Sequence, residues 1–317
     1  MTGLYEIADI SRQALHQHLI RQMIRMVQED VILSLARELR KEHPMMGCRK
    51  MFYALTPESW GRDRFETLLL SQGFRVKYAP NYIRTTESQR KYVFPNLTLG
   101  MKLTNVNQLW ATDITYYSIG ESFCYLTFIE DVYSKRILGY CASDSLRAEA
   151  NIKALKMAFK VRKQSVFTDL VHHSDRGKQF IDTNYLELIK QGEIQLSMCE
   201  EAWQNPYAER INGIIKNEYL KKRSIKNLTE LKQQLKCAVD SYNYRRPHWN
   251  LSNKLSPVNF EKYLLTLDTQ QRPTVKLYTE EKAKVEGASS PNNLNPTTSL
   301  RFALPEVDSL HKTVNPI

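Results

Sequence analysis

Between residues 108 and 244 the hydrophobic pattern changes period several times. In Gln108–Tyr117, QLWATDITYY, Trp110, Thr112 and Ile114 share one side. Ala111, Asp113 and Thr115 share the other, and this period of two predicts a strand. Ser122–Ser143 predicts two further strands joined at a Tyr-Ser-Lys turn. Phe123–Ile129 is nearly all apolar, as a strand covered on both faces should be. Ala148, Ile152, Leu155 and Phe159 then mark a helix. DLVHHSD predicts a fourth strand ending at Asp175, and Ile194–Met198 a fifth, with a helix over Tyr185, Leu186 and Ile189 between them. Helices follow from about Gln204 to Tyr244. The order βββ-α-β-α-β-α predicts a layered α/β domain.

The N-terminal pattern is helical throughout. Residues 1–27 read as irregular helix with room for a break. Residues 28–41 carry Val31, Leu35 and Leu39 at four-residue spacing, an amphipathic helix that Pro44 ends. Gly47–Leu55 and Trp60–Gly73 predict two more helices, with Phe65, Leu68 and Leu69 facing inward on the last. Arg49, Lys50, Arg62 and Arg64 lie near the starts of these two. Short helices with basic starts fit a helix-turn-helix module and also fit a plain helical bundle. The predicted organisation is a helical region over 1–77, a connector over 78–106, an α/β core over 107–264, and a mostly disordered tail over 265–317, which is rich in Pro, Asn, Thr and Ser.

Charge sharpens this picture. The net charge of +11 is uneven: residues 1–105 carry 16 Lys+Arg against 10 Asp+Glu, residues 106–210 carry 12 against 14, and residues 211–246 carry 9 against 3. An acidic-leaning middle between basic arms suits a polyanion held by the arms and worked on by carboxylates. The same numbers describe a soluble protein with solvated lysines. The five cysteines include no CxxC pair, which argues against a zinc or disulfide framework and fits a reducing cytoplasm. No apolar run is long enough to span a membrane, so a cytoplasmic, nucleoid-associated protein is expected.

Three acids have contexts suited to metal chemistry. Asp113 lies inside a core strand, where an unpaired carboxylate is costly. Asp175 ends a strand, where α/β folds place ligand groups. Glu209 lies on a helix that opens near Pro206, with Asn205, Glu209, Asn212 and Lys216 on one side and Ile211, Ile214 and Ile215 on the other. Two aspartates on strands and a glutamate on a packed helix can hold two magnesium or manganese ions. Singly, each acid also reads as a cap or a surface ion-pair partner.

WATDITYY, HHSDRGKQF, NPYAERINGIIKNEYL and YNYRRPHWNLSNKLSPVNF together resemble the four blocks of the DDE transposases of bacterial insertion sequences. The likeness is to the second-reading-frame protein of insertion-sequence family three and covers about residues 30–262. It implies an RNase H-like integrase core of the retroviral-integrase superfamily, a mixed five-stranded sheet with helices on both faces. It also implies that Asp113, Asp175 and Glu209 form the catalytic, metal-binding triad, with Mg2+ or Mn2+ as the cofactor. The 33 residues between Asp175 and Glu209 are two fewer than the family's usual 35. Glu200 and Glu201 lack the matching helical context.

The function implied is binding of the element's terminal inverted repeats, cleavage, and transfer of the freed 3′-OH to target DNA. Homo-oligomers on DNA are expected, and an upstream-frame DNA-binding protein or fusion is a further partner the resemblance allows. A nuclease of the same core that cuts without joining is a second reading. A DNA-binding regulator with a decayed core is a third. Lys178, Arg210, Lys216, Lys221, Lys222, Arg245 and Arg246 join the four N-terminal residues as candidate DNA contacts. The two arginines of YNYRRPH fit bidentate phosphate binding and equally a helix C-terminus with favourable charge.

Overall fold

The computed structural model describes residues 11–76, 94–199 and 204–277. The chain divides into two compact units, Met1–Tyr82 and Ile83–Ile317.

Among its described residues the first unit holds three helices. α1 (Arg12–Glu42) begins at Ser11, whose hydroxyl accepts from the Ala14 N–H at 3.0 Å. α2 (Cys48–Leu55) and α3 (Arg62–Ser71) begin at Gly47 and Gly61. Their core gathers Ile32, Ala36, Met46, Cys48, Met51, Trp60, Phe65 and Leu69.

Two sequence expectations are corrected here. No break occurs between Arg12 and residue 28; neither Gly nor Pro interrupts Arg12–Glu42, and the helix runs for 31 residues. The buried stripe is also displaced by one position. Ile32, Leu33 and Ala36 are buried, while Val31 and Leu35 stay 54% and 49% exposed. Four-residue spacing fits both stripes, and small Ala36 lies on the one that meets the other two helices.

The second unit is built on β2 (Leu109–Ile119), β3 (Ser122–Asp131), β4 (Ile137–Ser143), β5 (Val171–Ser174) and β6 (Gln195–Met198), in the order β4-β3-β2-β5-β6. β3 pairs antiparallel with β2 and β4, while β5 runs parallel to β2 and β6. Hairpins make the first half and helical crossovers the second, as the loop lengths require.

On one face Trp110, Ile129 and Leu138 pack with Ala154, Leu155 and Ala158 of α4 (Glu149–Arg162) and with Tyr185 and Ile189 of α5 (Thr183–Gln191). On the other, Leu126, Phe128 and Ala142 meet Ile211 of α6 (Pro206–Ile214) and Leu235, Val239 and Tyr242 of α7 (Leu228–Tyr244). α6 continues as a π-helix over Ile215–Leu220. α8 (Pro257–Leu264) supplies Phe260 and Leu264 to a third cluster, with Leu109 and Ala111.

The tail does not begin at 265. β7 (Val275–Lys276) pairs antiparallel with β1 (Lys102–Leu103), and the Leu277 N–H donates to the Met101 carbonyl at 2.9 Å. Arg272 donates to Asn105 and the Tyr133 hydroxyl to the Pro273 carbonyl, both at 2.8 Å. The apolar side chains of Val275 and Leu277 join the third cluster and hold this return. The expected tail over 278–317, and most of the connector, lie outside the described residues. No described helix is long and apolar enough to cross a membrane.

Candidate active site

Asp113 lies opposite Phe128 in the β2–β3 pairing, on the face of β2 that looks toward α6. Alternation places Ala111 and Thr115 on the same face. Ala111 pairs with His173 in the parallel β2–β5 ladder. Two residues further along each strand come Asp113 and Asp175, so the two aspartates stand at the same level beside one another. The Gly177 N–H donates to Asp175 Oδ1 at 3.1 Å. A Cβ at Gly177 would lie 3.0 Å from that same oxygen, so the turn is fitted closely to the carboxylate.

α6 crosses over this face and is tied to it by its polar stripe. Asn205 Nδ2 donates to the Thr112 carbonyl at 2.9 Å, and Asn212 Nδ2 to Asp113 Oδ2 at 2.8 Å. Lys216 Nζ donates to Thr115 Oγ1 at 2.6 Å and to the Tyr116 carbonyl at 3.4 Å. Arg210 Nη2 donates to Glu130 Oε1 on β3 at 3.2 Å. Ile211 and Ile215 point into the core. Asn205, Asn212 and Lys216 therefore face β2, while Glu209 on the same stripe is exposed.

The acids share one electrostatic neighbourhood. Burial, followed by the nearby Asp175 charge, pushes the Asp113 carboxyl up to about 8; Glu209 adds to the rise and Lys216 opposes it. Asp175 and Glu209 are also raised, in both cases chiefly by desolvation. The buried Cys199 thiol rises to about 12, through burial and then the charges of Asp175 and Asp113. Among the described residues, no three Asp, Glu, His or Cys side chains converge closely enough to hold a metal as they stand. Glu200 and Glu201 lie outside the described residues.

The two histidines of HHSD are structural. His173 Nε2 is 3.2 Å from the Gln204 carbonyl and so carries the proton; Nδ1 then accepts from the Ser197 hydroxyl at 2.8 Å. The same hydroxyl accepts from the Leu97 N–H at 2.9 Å. His172 Nε2 is 2.6 Å from the Tyr185 hydroxyl. Burial lowers His172 to about 3 and His173 to about 4, so both rings are neutral at pH 7.

Residues 104–202 match the family Integrase core domain, and residues 191–256 match a second family with that description. The insertion element IS600 uncharacterized 31 kDa protein of Shigella sonnei is 34% identical over 209 residues, covering 64% of this chain and 76% of that one. The transposase for insertion sequence element IS629, also of Shigella sonnei, is 31% identical over 212 residues, covering 65% and 70%. This chain belongs to the transposases of bacterial insertion sequences. Its α/β unit is the family's RNase H-like integrase core, which places the transposase among the polynucleotidyl transferases. The HTLV-2 integrase catalytic core domain in complex with magnesium is similar at a TM-score of 0.41 and 20% identity, covering 52% of this chain and 99% of that one.

The transposase distributes its expected DNA contacts unevenly. Arg49 pairs with Glu66 at 3.1 Å and Arg62 with Asp63 at 2.8 Å. Arg64 stacks 3.8 Å from the Trp60 ring centroid, with Glu29 at 3.6 Å. Such exposed pairs contribute little and can be exchanged for phosphate. Lys50 and Lys216 are half-buried, while Lys178, Lys221, Lys222 and Arg245 are exposed.

Two candidates are engaged inside the fold. Arg246 is 4% exposed and grips Glu218 through Nε and Nη2, each at 2.9 Å. Arg210 is committed to buried Glu130. Both guanidiniums serve internal ion pairs, because each already has a carboxylate fitted to it. Sequence reasoning missed Glu130 altogether. Its signal was an acidic pair, Glu130-Asp131, closing an otherwise apolar strand.

Proposed function

We propose that the transposase binds the ends of its element and catalyses metal-dependent DNA cleavage and strand transfer through Asp113, Asp175 and Glu209. The observation that carries this reading is the shared field: Asp113, inside a strand, is raised to about 8 by burial first and then by the charges of Asp175 and Glu209. Acids crowded in this way repel one another unless a cation stands between them. The donor set is all oxygen, which suits Mg2+ or Mn2+. Two such ions would supply positive charge that activates the attacking oxygen and eases departure of the leaving one.

The chain's own residues do the positioning. Asn212 donates to one oxygen of Asp113 and so orients the carboxylate. The Gly177 N–H orients Asp175. Lys216 lies two turns past Glu209, about 10 Å further along α6 and its π-helical continuation, where its ammonium can meet a phosphate next to the cut. The N-terminal helices, Lys178, Lys221, Lys222 and Arg245 contribute contacts to phosphates of the terminal repeats and target. Oligomerisation on DNA would bring two element ends together, and an upstream-frame protein or fusion could add further DNA contacts. Nucleoid association follows from this substrate.

Asp113→Asn, Asp175→Asn and Glu209→Gln should each abolish cleavage and joining of a labelled element end while leaving end binding largely intact. Full activity in Glu209→Gln would remove it from the triad. A nuclease that cuts without joining is the second reading, favoured if cleaved ends accumulate with no strand-transfer product.

A further inference from the structure

We propose that the buried Glu130–Arg210 ion pair fixes the rotation of α6 about its axis and thereby aims Glu209 at the two aspartates. This rests on the carboxylate reading above, and it makes Glu130 and Arg210 positioning residues.

Glu130 pairs across the ladder with Ala111. It therefore shares a sheet face with Ala111 and with Asp113 two residues on. It is 1% exposed, and among the described residues it accepts a hydrogen bond from Arg210, with Oε2 unpaired. Arg210 follows Glu209 directly, so the two side chains leave the helix about 100° apart. Holding one direction holds the other.

The other tethers cannot do this alone. Asn205, Asn212 and Lys216 all reach β2, at Thr112, Asp113, Thr115 and Tyr116. These hydrogen bonds all run to one strand, and the apolar contact of Ile211 with Phe128 of β3 fixes no direction, so a roll about that line stays open. Arg210 reaches the neighbouring strand, β3, and a second line of attachment removes the roll.

The chemistry around the pair suits a directional role. Lys135, itself buried, donates from Nζ to the Val132 carbonyl at 2.5 Å and lies 4.8 Å from the centroid of the Tyr207 ring at the start of α6. Glu130 thus sits in the field of two cations, and Arg210 favours its ionised form against burial. Buried ion pairs can often be replaced by apolar residues without loss of stability. What apolar replacement cannot reproduce is the fixed direction of a hydrogen-bonded fork.

The test follows Mn2+-induced thermal stabilisation of the full chain without DNA. Wild type should give a saturable response that Asp113→Asn abolishes. In Glu130→Gln the Mn2+ concentration at half-response should rise about tenfold, as for outer partners of metal ligands. The decisive variant is the double change Glu130→Leu with Arg210→Leu. It should melt near wild type in the absence of metal and still require about tenfold more Mn2+. If half-response returns to the wild-type concentration in the double variant, or is unchanged in Glu130→Gln, the pair is merely structural and the proposal fails. Should Glu130→Gln not fold, the double variant decides alone. A Mn2+ response that survives Asp113→Asn, or its absence in wild type, would instead overturn the carboxylate reading itself.

Discussion

Asn212 donates a 2.8 Å hydrogen bond to Asp113, joining the third turn-facing position of α6 to the centre of β2. Asn212 is itself buried, with Oδ1 unpaired, so its amide is held for this one contact. Hydrogen bonds to charged groups contribute about 1.5–3 kcal/mol. Asn212→Ala should therefore lower cleavage about 10- to 100-fold. Gel-shift binding to the element end should be unaffected. A comparable loss of binding would mean that Asn212 acts on the DNA rather than on Asp113.

Charge reversal at Lys216 should cut strand transfer far more than the same change at exposed Lys232. The Lys216 ammonium already lies in the field of Asp113, and Lys216→Glu would add a fourth acid beside the three. Equal effects at the two positions, measured in one strand-transfer assay, would reduce the role of Lys216 to overall charge.

Replacing Arg49, Lys50, Arg62 and Arg64 together with Ala should weaken end binding and flatten its salt dependence. Each lost phosphate contact should reduce the slope of log affinity against log salt by about 0.9. An unchanged slope would place the DNA interface elsewhere.

Acid should destabilise the core through its neutral histidines. His172 is lowered from the usual 6.5 to about 3 by burial. The unfolded chain therefore binds a proton that the folded chain refuses. The stability this represents is present above pH 6.5 and lost as pH falls toward 3, with a slope of up to about 1.4 kcal/mol per pH unit. His173 acts in the same direction down to about 4. Urea midpoints between pH 7 and pH 4 should fall steeply, and His172→Gln should flatten the dependence.

Gly139→Ala should be costly despite its small size. A Cβ there would lie 1.9 Å from the Ala154 carbonyl oxygen, a backbone atom that cannot turn aside. β4 would have to separate from α4, costing about 1–3 kcal/mol or more. A urea midpoint within error of wild type would show that the two elements can part freely.

The sheet was legible because its strands obey simple alternation. Trp110 and Ile114 face one helical layer, while Ala111 faces the other, as the period of two requires. The proposed triad of Asp113, Asp175 and Glu209 was read from motifs whose neighbours also carry information. The α1 face was not, because Val31/Leu35 and Ile32/Ala36 satisfy the same spacing and only contacts with α2 and α3 distinguish them. The internal partners of Arg210 and Arg246 were not legible for a similar reason: a guanidinium suits phosphate and buried carboxylate equally, and Glu130 and Glu218 become neighbours only after folding. The two-residue strand at Val275 has no periodicity long enough to read.

That short strand imposes a delay on biosynthesis. Lys102 finds its partner in Lys276, 174 residues later in the chain. At roughly 5–20 residues per second on the ribosome, about 9–35 s separate the emergence of the two. The helical unit, built from near-neighbour contacts, can fold early in that interval. The integrase core must wait for this separate two-stranded sheet, and for the packing of Val275 and Leu277 on its third cluster, until residue 277 has been made, while the helical unit is already intact.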